Sequence, residues 1–177
     1  MIKIAIIGPE STGKSTLAQA LATSLNCPWV PEYAREYLEN LKRPYQESDL
    51  LSIAKGQIEA EDRLAQSTPP PFFLVCDTEL SVIKIWSDVK YGRVHPDILR
   101  ELHSRQYDHY FLSYIDLPWE EDPLREHPDK RDYLFELYLK ECETRKLPFT
   151  ILKGNHDHRV EKALEIIRDL EKKTALT

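Results

Sequence analysis

Cysteine is scarce in this chain. Its three residues, Cys27, Cys76 and Cys142, are odd in number and far apart, with no C-x-x-C among the 177 residues. Such a set builds neither a disulfide framework nor a zinc ribbon, so the thiols are expected to be buried small hydrophobes in a reducing compartment. Long apolar runs are missing too, and none approaches the roughly 20 residues of a membrane span. Met1 leads almost directly into an apolar stretch, leaving no room for a signal peptide, which predicts a cytoplasmic protein with no membrane partner. Basic surplus is absent as well: the net charge is −6, and without a cationic footprint no nucleic-acid partner is expected. Without long polar tracts, low-complexity segments or repeats, one domain over residues 1–177 is expected, its oligomeric state open. With 41% apolar and 10% aromatic residues, there is enough material for a sizeable core.

What is present begins at Gly8-Pro9-Glu10-Ser11-Thr12-Gly13-Lys14-Ser15-Thr16. This reads G-x-x-x-x-G-K-[ST], the phosphate-binding P-loop. Gly8 and Gly13 let the backbone curl into a nest of inward N–H groups that includes Glu10, Ser11 and Thr12. Lys14 supplies a point charge for the β- and γ-phosphates of ATP, and the Ser15 hydroxyl a ligand for Mg²⁺. Ile2 to Ile7 before the motif reads as a buried parallel strand, and Leu17, Ala18, Leu21, Ala22 and Leu25 after it share a helical face. The order strand, glycine loop, helix is the one the motif requires. Neither N-K-x-D nor D-x-x-G follows, which disfavours a GTPase. Gly154-Asn155-His156-Asp157-His158 looks like one metallophosphoesterase motif, but its companions D-x-H and G-D-x-x-D are absent. An adenine-side loop with Asn155 as helix N-cap is the better expectation.

Further along, Cys27 to Val30 predicts a short strand ended by Pro31, delivering Glu32, Tyr33 and Arg35 to the edge where open α/β sheets bind ligands. A helix is expected from Ser48 to about Leu64. Phe72 to Cys76 is an apolar strand closed by Asp77-Thr78-Glu79, the Walker B arrangement, with Asp77 and Ser15 as the metal pair. Leu80 to Trp86 predicts a helix, Ser87 to Val94 a loop carrying Lys90, Tyr91 and Arg93, and Pro96 the first turn of another helix. Tyr110 to Ile115 predicts a strand. Residues 119–131 are the most charged tract. They read either as a solvated loop or as a lid whose Arg125 and Arg131 swing onto the phosphates. A helix through Leu134 and Cys142, a strand Pro148 to Leu152 and a last helix complete an α/β, three-layer P-loop fold with five parallel strands.

The P-loop, Pro31-Glu32-Tyr33-Ala34-Arg35-Glu36, Asp77-Thr78-Glu79 and Asp116-Leu117-Pro118-Trp119 together resemble the ribosylnicotinamide kinase (NadR-like) domains of the P-loop nucleoside kinase group. The resemblance covers nearly the whole chain and implies ATP-dependent phosphorylation of a nucleoside 5′-hydroxyl, that of nicotinamide riboside in NAD salvage. A primary alcohol needs a carboxylate to orient it and take its proton, for which Glu32 and Asp77 are the candidates; Asp77 suits the metal and Glu32 the base. Arg35 is a candidate for the ribose or a phosphate, or for pairing with Glu36 or Glu39. The cationic pyridinium favours aromatic faces; Trp29, Tyr33, Trp86, Tyr91 and Trp119 are available, with Trp86 and Tyr91 flanking the loop expected over the nucleoside. A kinase for another nucleoside, or a regulatory ATP-binding module, stand as alternatives.

Overall fold

Alternation of side chains along buried strands builds the core. In the computed structural model, which describes residues 1–175, β1 (Ile2–Ile7) turns Ala5 and Ile7 to one face of the sheet and Ile2, Ile4 and Ile6 to the other. β3 (Phe73–Asp77) and β4 (His109–Ser113) divide their side chains in the same way. One face packs on α1 (Lys14–Leu25) and α7 (His156–Ala175). The other packs on α3 (Glu47–Ala65), α4 (Leu80–Tyr91) and α6 (Arg131–Thr144). With both faces covered, the strands read as near-continuous apolar runs rather than alternating ones. Outside the second helical layer, α2 (Tyr33–Asn40) and α5 (Pro96–Ser104) join a third apolar cluster with α3 and α4 around Leu50, Ile53, Ile83 and Leu102.

β2 (Trp29–Val30) and β5 (Phe149–Leu152) are the edges of a five-stranded sheet of order β2-β3-β1-β4-β5. Every pairing is parallel. The chain leaves β1 toward one edge and β3 toward the other, so a crevice opens at the carboxyl ends of those two strands. The P-loop follows β1 and Asp77 ends β3. The three-layer α/β architecture expected from the sequence is therefore present. Among the described residues no helix is long and apolar enough to cross a membrane.

One expected element is corrected. Ser87 to Tyr91 is not loop but the last turns of α4, which ends at Gly92 in the left-handed region (φ 67°) with its N–H on the Asp88 carbonyl. Ser87 is a buried polar residue on the inward face, its hydroxyl donating to the Arg93 carbonyl at 2.7 Å. That interruption of the apolar stripe makes the helix end early in a periodicity reading. The connection to α5 is only residues 92–95, and His95 caps α5 by accepting from the Asp97 N–H.

Glu79 caps α4 from a fully buried position, accepting from the Ser81 N–H and hydroxyl. Burial pushes its carboxyl up to about 7, against the Ser81 hydroxyl bond and the charge of Arg145. A raised carboxyl binds its proton more tightly in the folded chain, so its contribution is complete below about 4.5 and is lost as pH rises through about 7. Glu79→Gln keeps an oxygen for Ser81 and cannot ionise. Its unfolding free energy at pH 8 is expected to exceed the wild-type value by roughly 3 kcal/mol. The gap should close near pH 4, as read by denaturant melts at both pH values.

Candidate active site

The P-loop is shaped by two glycines. Gly8 has φ 136°, and a Cβ there would lie 2.9 Å from the Ser113 carbonyl oxygen of β4; Gly13 has φ 75° at the N-cap of α1. Ser11 also sits in the left-handed region at φ 54°, a strained conformation for a residue with a side chain. Its hydroxyl accepts from the Glu120 N–H at 2.8 Å and lies 3.4 Å from Arg125 Nη1. The Pro9 carbonyl accepts from both the Thr12 hydroxyl and the Lys14 ammonium, each at 2.8 Å. Ser15 and Thr16 follow in the first turn of α1, where free N–H groups and the helix dipole favour an anion.

A cavity of about 370 Å³ runs from this loop past Glu32, Arg35 and Trp86 to the segment 117–127 and to His156. Glu32 is the N-cap of α2 and Arg35 lies one turn on. Arg35 pairs with Asp122 at 2.8 Å and with Glu39 at 3.5 Å. Asp122 and the nearby acids raise the Arg35 guanidinium above its ordinary value, the hydrogen bond to Asp122 contributing most. Trp86 Nε1 donates to Tyr45 Oη at 2.9 Å, and that hydroxyl in turn donates to Glu126 at 2.6 Å.

Asp77 lies beneath the cavity, 1% exposed at the end of β3. Burial and then the negative charge of Glu32 push its carboxyl up to about 6, opposed by a hydrogen bond from Ser15 and the charges of Lys14 and Arg35. Its Oδ1 is buried and has no hydrogen-bond partner in the protein. An orphaned carboxylate oxygen beside a serine hydroxyl suits a hard divalent cation such as Mg²⁺, so these two residues fit the metal expected of them.

Not every expected residue reaches the cavity. Tyr33 turns toward α3, where a Cβ on Gly56 would come within 2.0 Å of its ring, and Tyr91 joins the same outer cluster. Neither lines the cavity; Trp86, one helical turn and a half before Tyr91, does. Glu10 does line the cavity, and its carboxylate accepts the N–H groups of Glu126 and His127 at 3.1 Å. Arg125 lines the cavity, its guanidinium also donating to the Glu120 carbonyl. Arg131 opens α6 and donates to the carbonyls of Ser11, Leu117 and Ile115 instead. Asn155 is the N-cap of α7, accepting from the His158 N–H at 3.0 Å. Arg159, which sequence reading passes over, is 2% exposed and holds the Thr12 carbonyl at 2.7 Å. A lone arginine one turn into a helix carries no motif that would betray this.

Residues 3–159 match the family described as the AAA domain. The chain belongs to that family. It is similar to the trifunctional NAD biosynthesis/regulator protein NadR of Escherichia coli (strain K12), with 27% identity over 175 residues. That alignment covers 94% of this chain and 42% of the relative, so the chain spans about two-fifths of the curated protein it matches. A crystal structure of NadR protein in complex with NR superposes with a TM-score of 0.81 at 21% identity, over 95% of this chain and 50% of that one. NadR protein in complex with NAD and AMP-PNP gives 0.76 at 21% identity, over 93% and 49%. These likenesses establish the shared P-loop fold.

Proposed function

We propose that this chain is an ATP-dependent nucleoside kinase that phosphorylates the 5′-hydroxyl of nicotinamide riboside, giving nicotinamide mononucleotide, as one cytoplasmic domain with residues 119–131 as its lid. The observation that carries the reading is a single cavity joining the P-loop to Glu32 and Trp86. A phosphate donor and a small acceptor can meet there. The NadR relatives, one solved with NR and one with AMP-PNP, support both ligand classes.

The residues divide the work as follows. P-loop N–H groups and Lys14 take the phosphates, Lys14 exchanging the Pro9 carbonyl for phosphate oxygens. Mg²⁺, held by Ser15 and Asp77, would neutralise charge developing on the transferred phosphoryl group. Glu32 accepts the 5′-hydroxyl proton. Arg35, steadied by Asp122, reaches the ribose side, and Arg125 faces the phosphates from the lid. Trp86 offers an aromatic wall to a cationic base. Tyr33 and Tyr91 pack with Trp86 on the same outer apolar cluster, and Tyr45 meets the Trp86 ring edge-on at 4.9 Å between centroids.

Incubation with Mg-ATP and a nucleoside panel, read by product mass, tests the assignment. Nicotinamide riboside is expected to show the highest kcat/KM. A higher value for uridine, cytidine or a deoxynucleoside would leave nucleoside kinase as the description. Tight ATP binding with no nucleoside phosphorylated would favour a regulatory module.

A further inference from the structure

Two arginines outside the phosphate nest grip consecutive peptide units of the P-loop. Arg131 Nη1 donates to the Ser11 carbonyl at 3.0 Å, while its remaining bonds go to the carbonyls of Leu117 and Ile115. Arg159 Nη1 donates to the Thr12 carbonyl at 2.7 Å. Its Nε holds the Gly154 carbonyl at 2.9 Å, and its Nη2 holds the Tyr114 carbonyl at 3.0 Å and the Asp116 carboxylate. Asp116 itself accepts the Gly154 N–H at 2.6 Å. Arg159 is thus a buried cation whose partners come from the P-loop, the end of β4 and the loop after β5.

A trans peptide is planar, with its C=O and the following N–H pointing to opposite sides. The described residues contain one cis bond, Thr68–Pro69, so both P-loop units are trans. Fixing the Ser11 carbonyl outward therefore aims the Thr12 N–H inward, and fixing the Thr12 carbonyl aims the Gly13 N–H inward. Among the described residues the Gly13 N–H has no protein acceptor, while the Thr12 N–H turns back toward the Pro9 carbonyl across Glu10–Ser11 without making a well-aligned bond to it. Gly13, with φ 75° and no side chain, has the most freedom to flip its peptide, so an external hold matters most there.

We propose that Arg159 and Arg131 are positioning residues that lock two P-loop peptides with their N–H groups facing the donor's phosphates. Neither needs to touch the nucleotide, and Arg131 acts through the loop rather than on the phosphoryl group. The proposal rests on the nucleotide part of the reading above and is independent of which acceptor is used.

The test uses the full chain with Arg159→Lys and Arg131→Lys, each keeping the charge but losing the planar fork that spans several carbonyls. Calorimetry with Mg-ATP and, separately, with adenosine reads the effect. Mg-ATP affinity is expected to fall tenfold or more while adenosine affinity stays within twofold, because only the phosphates meet the reoriented N–H groups. Wild-type Mg-ATP affinity in either folded variant overturns the proposal. So does an equal loss for both ligands, which marks general collapse of the cavity. If Arg159→Lys fails to fold, Arg131→Lys, on the partly exposed start of α6, decides alone. A wild-type chain that binds no Mg-ATP would overturn the nucleotide reading, and this proposal with it.

Discussion

Glu32→Gln is expected to slow phosphoryl transfer by about 10²–10⁴-fold while leaving the KM for the nucleoside close to wild type. The two carboxylates at the carboxyl edge of the sheet have different surroundings. Asp77 is sealed beneath the cavity beside Ser15, whereas Glu32 opens α2 and lines the cavity itself. Of these two, Glu32 is the one the proposed reading assigns to the acceptor hydroxyl, leaving Asp77 to the proposed metal site. Glutamine has the same shape and still accepts a hydrogen bond, so it preserves orientation and removes only the capacity to take a proton. Rapid-quench measurement of a single turnover, with nucleoside KM measured alongside, separates the two. A loss under tenfold would reduce Glu32 to a positioning role; a matching rise in KM would make it a binding residue.

The parts of this site that are legible in sequence are those where chemistry demands a residue type at a fixed spacing. Gly8, Gly13, Lys14 and Ser15 are such positions, and the strand before them and helix after them carry their own periodicities. Asp77 is legible because it ends an apolar run behind a P-loop. Tyr33 and Tyr91 show what spacing alone misjudges. Each is close in sequence to a cavity residue, Glu32 or Trp86, yet helical geometry turns it toward α3 and the outer cluster. Likewise Ser87, buried through one hydrogen bond to the Arg93 carbonyl, hides the last turns of α4 from a hydrophobicity pattern. Arg159 is the extreme case. Its three carbonyl partners belong to the backbone, and a carbonyl leaves no mark in the residue identity of its owner.

Asp77→Asn is expected to move stability and activity in opposite directions. In the folded chain the Asp77 carboxyl is held up at about 6 by burial and by Glu32, against an ordinary value of 3.8. A raised carboxyl contributes stability that is whole below about 3.8 and is lost as pH rises through about 6, so at pH 8 ionised Asp77 is a net cost. At 1.36 kcal/mol per unit, asparagine should relieve on the order of 2–3 kcal/mol. The unliganded variant should therefore melt several degrees above wild type at pH 8, and the gap should close below pH 4. With Mg-ATP added the ranking should reverse in its increment, because asparagine cannot neutralise a divalent cation and its thermal shift on nucleotide binding should be smaller. Transfer should fall by about 10²–10³-fold, the scale of losing one preorganised electrostatic contact at a reacting centre. Thermal melts at pH 4 and pH 8, with and without Mg-ATP, give all the required comparisons. A variant less stable than wild type at pH 8 would mean that the Asp77 carboxylate is paired in the folded chain. A full Mg-ATP shift with full activity would move the metal to other ligands.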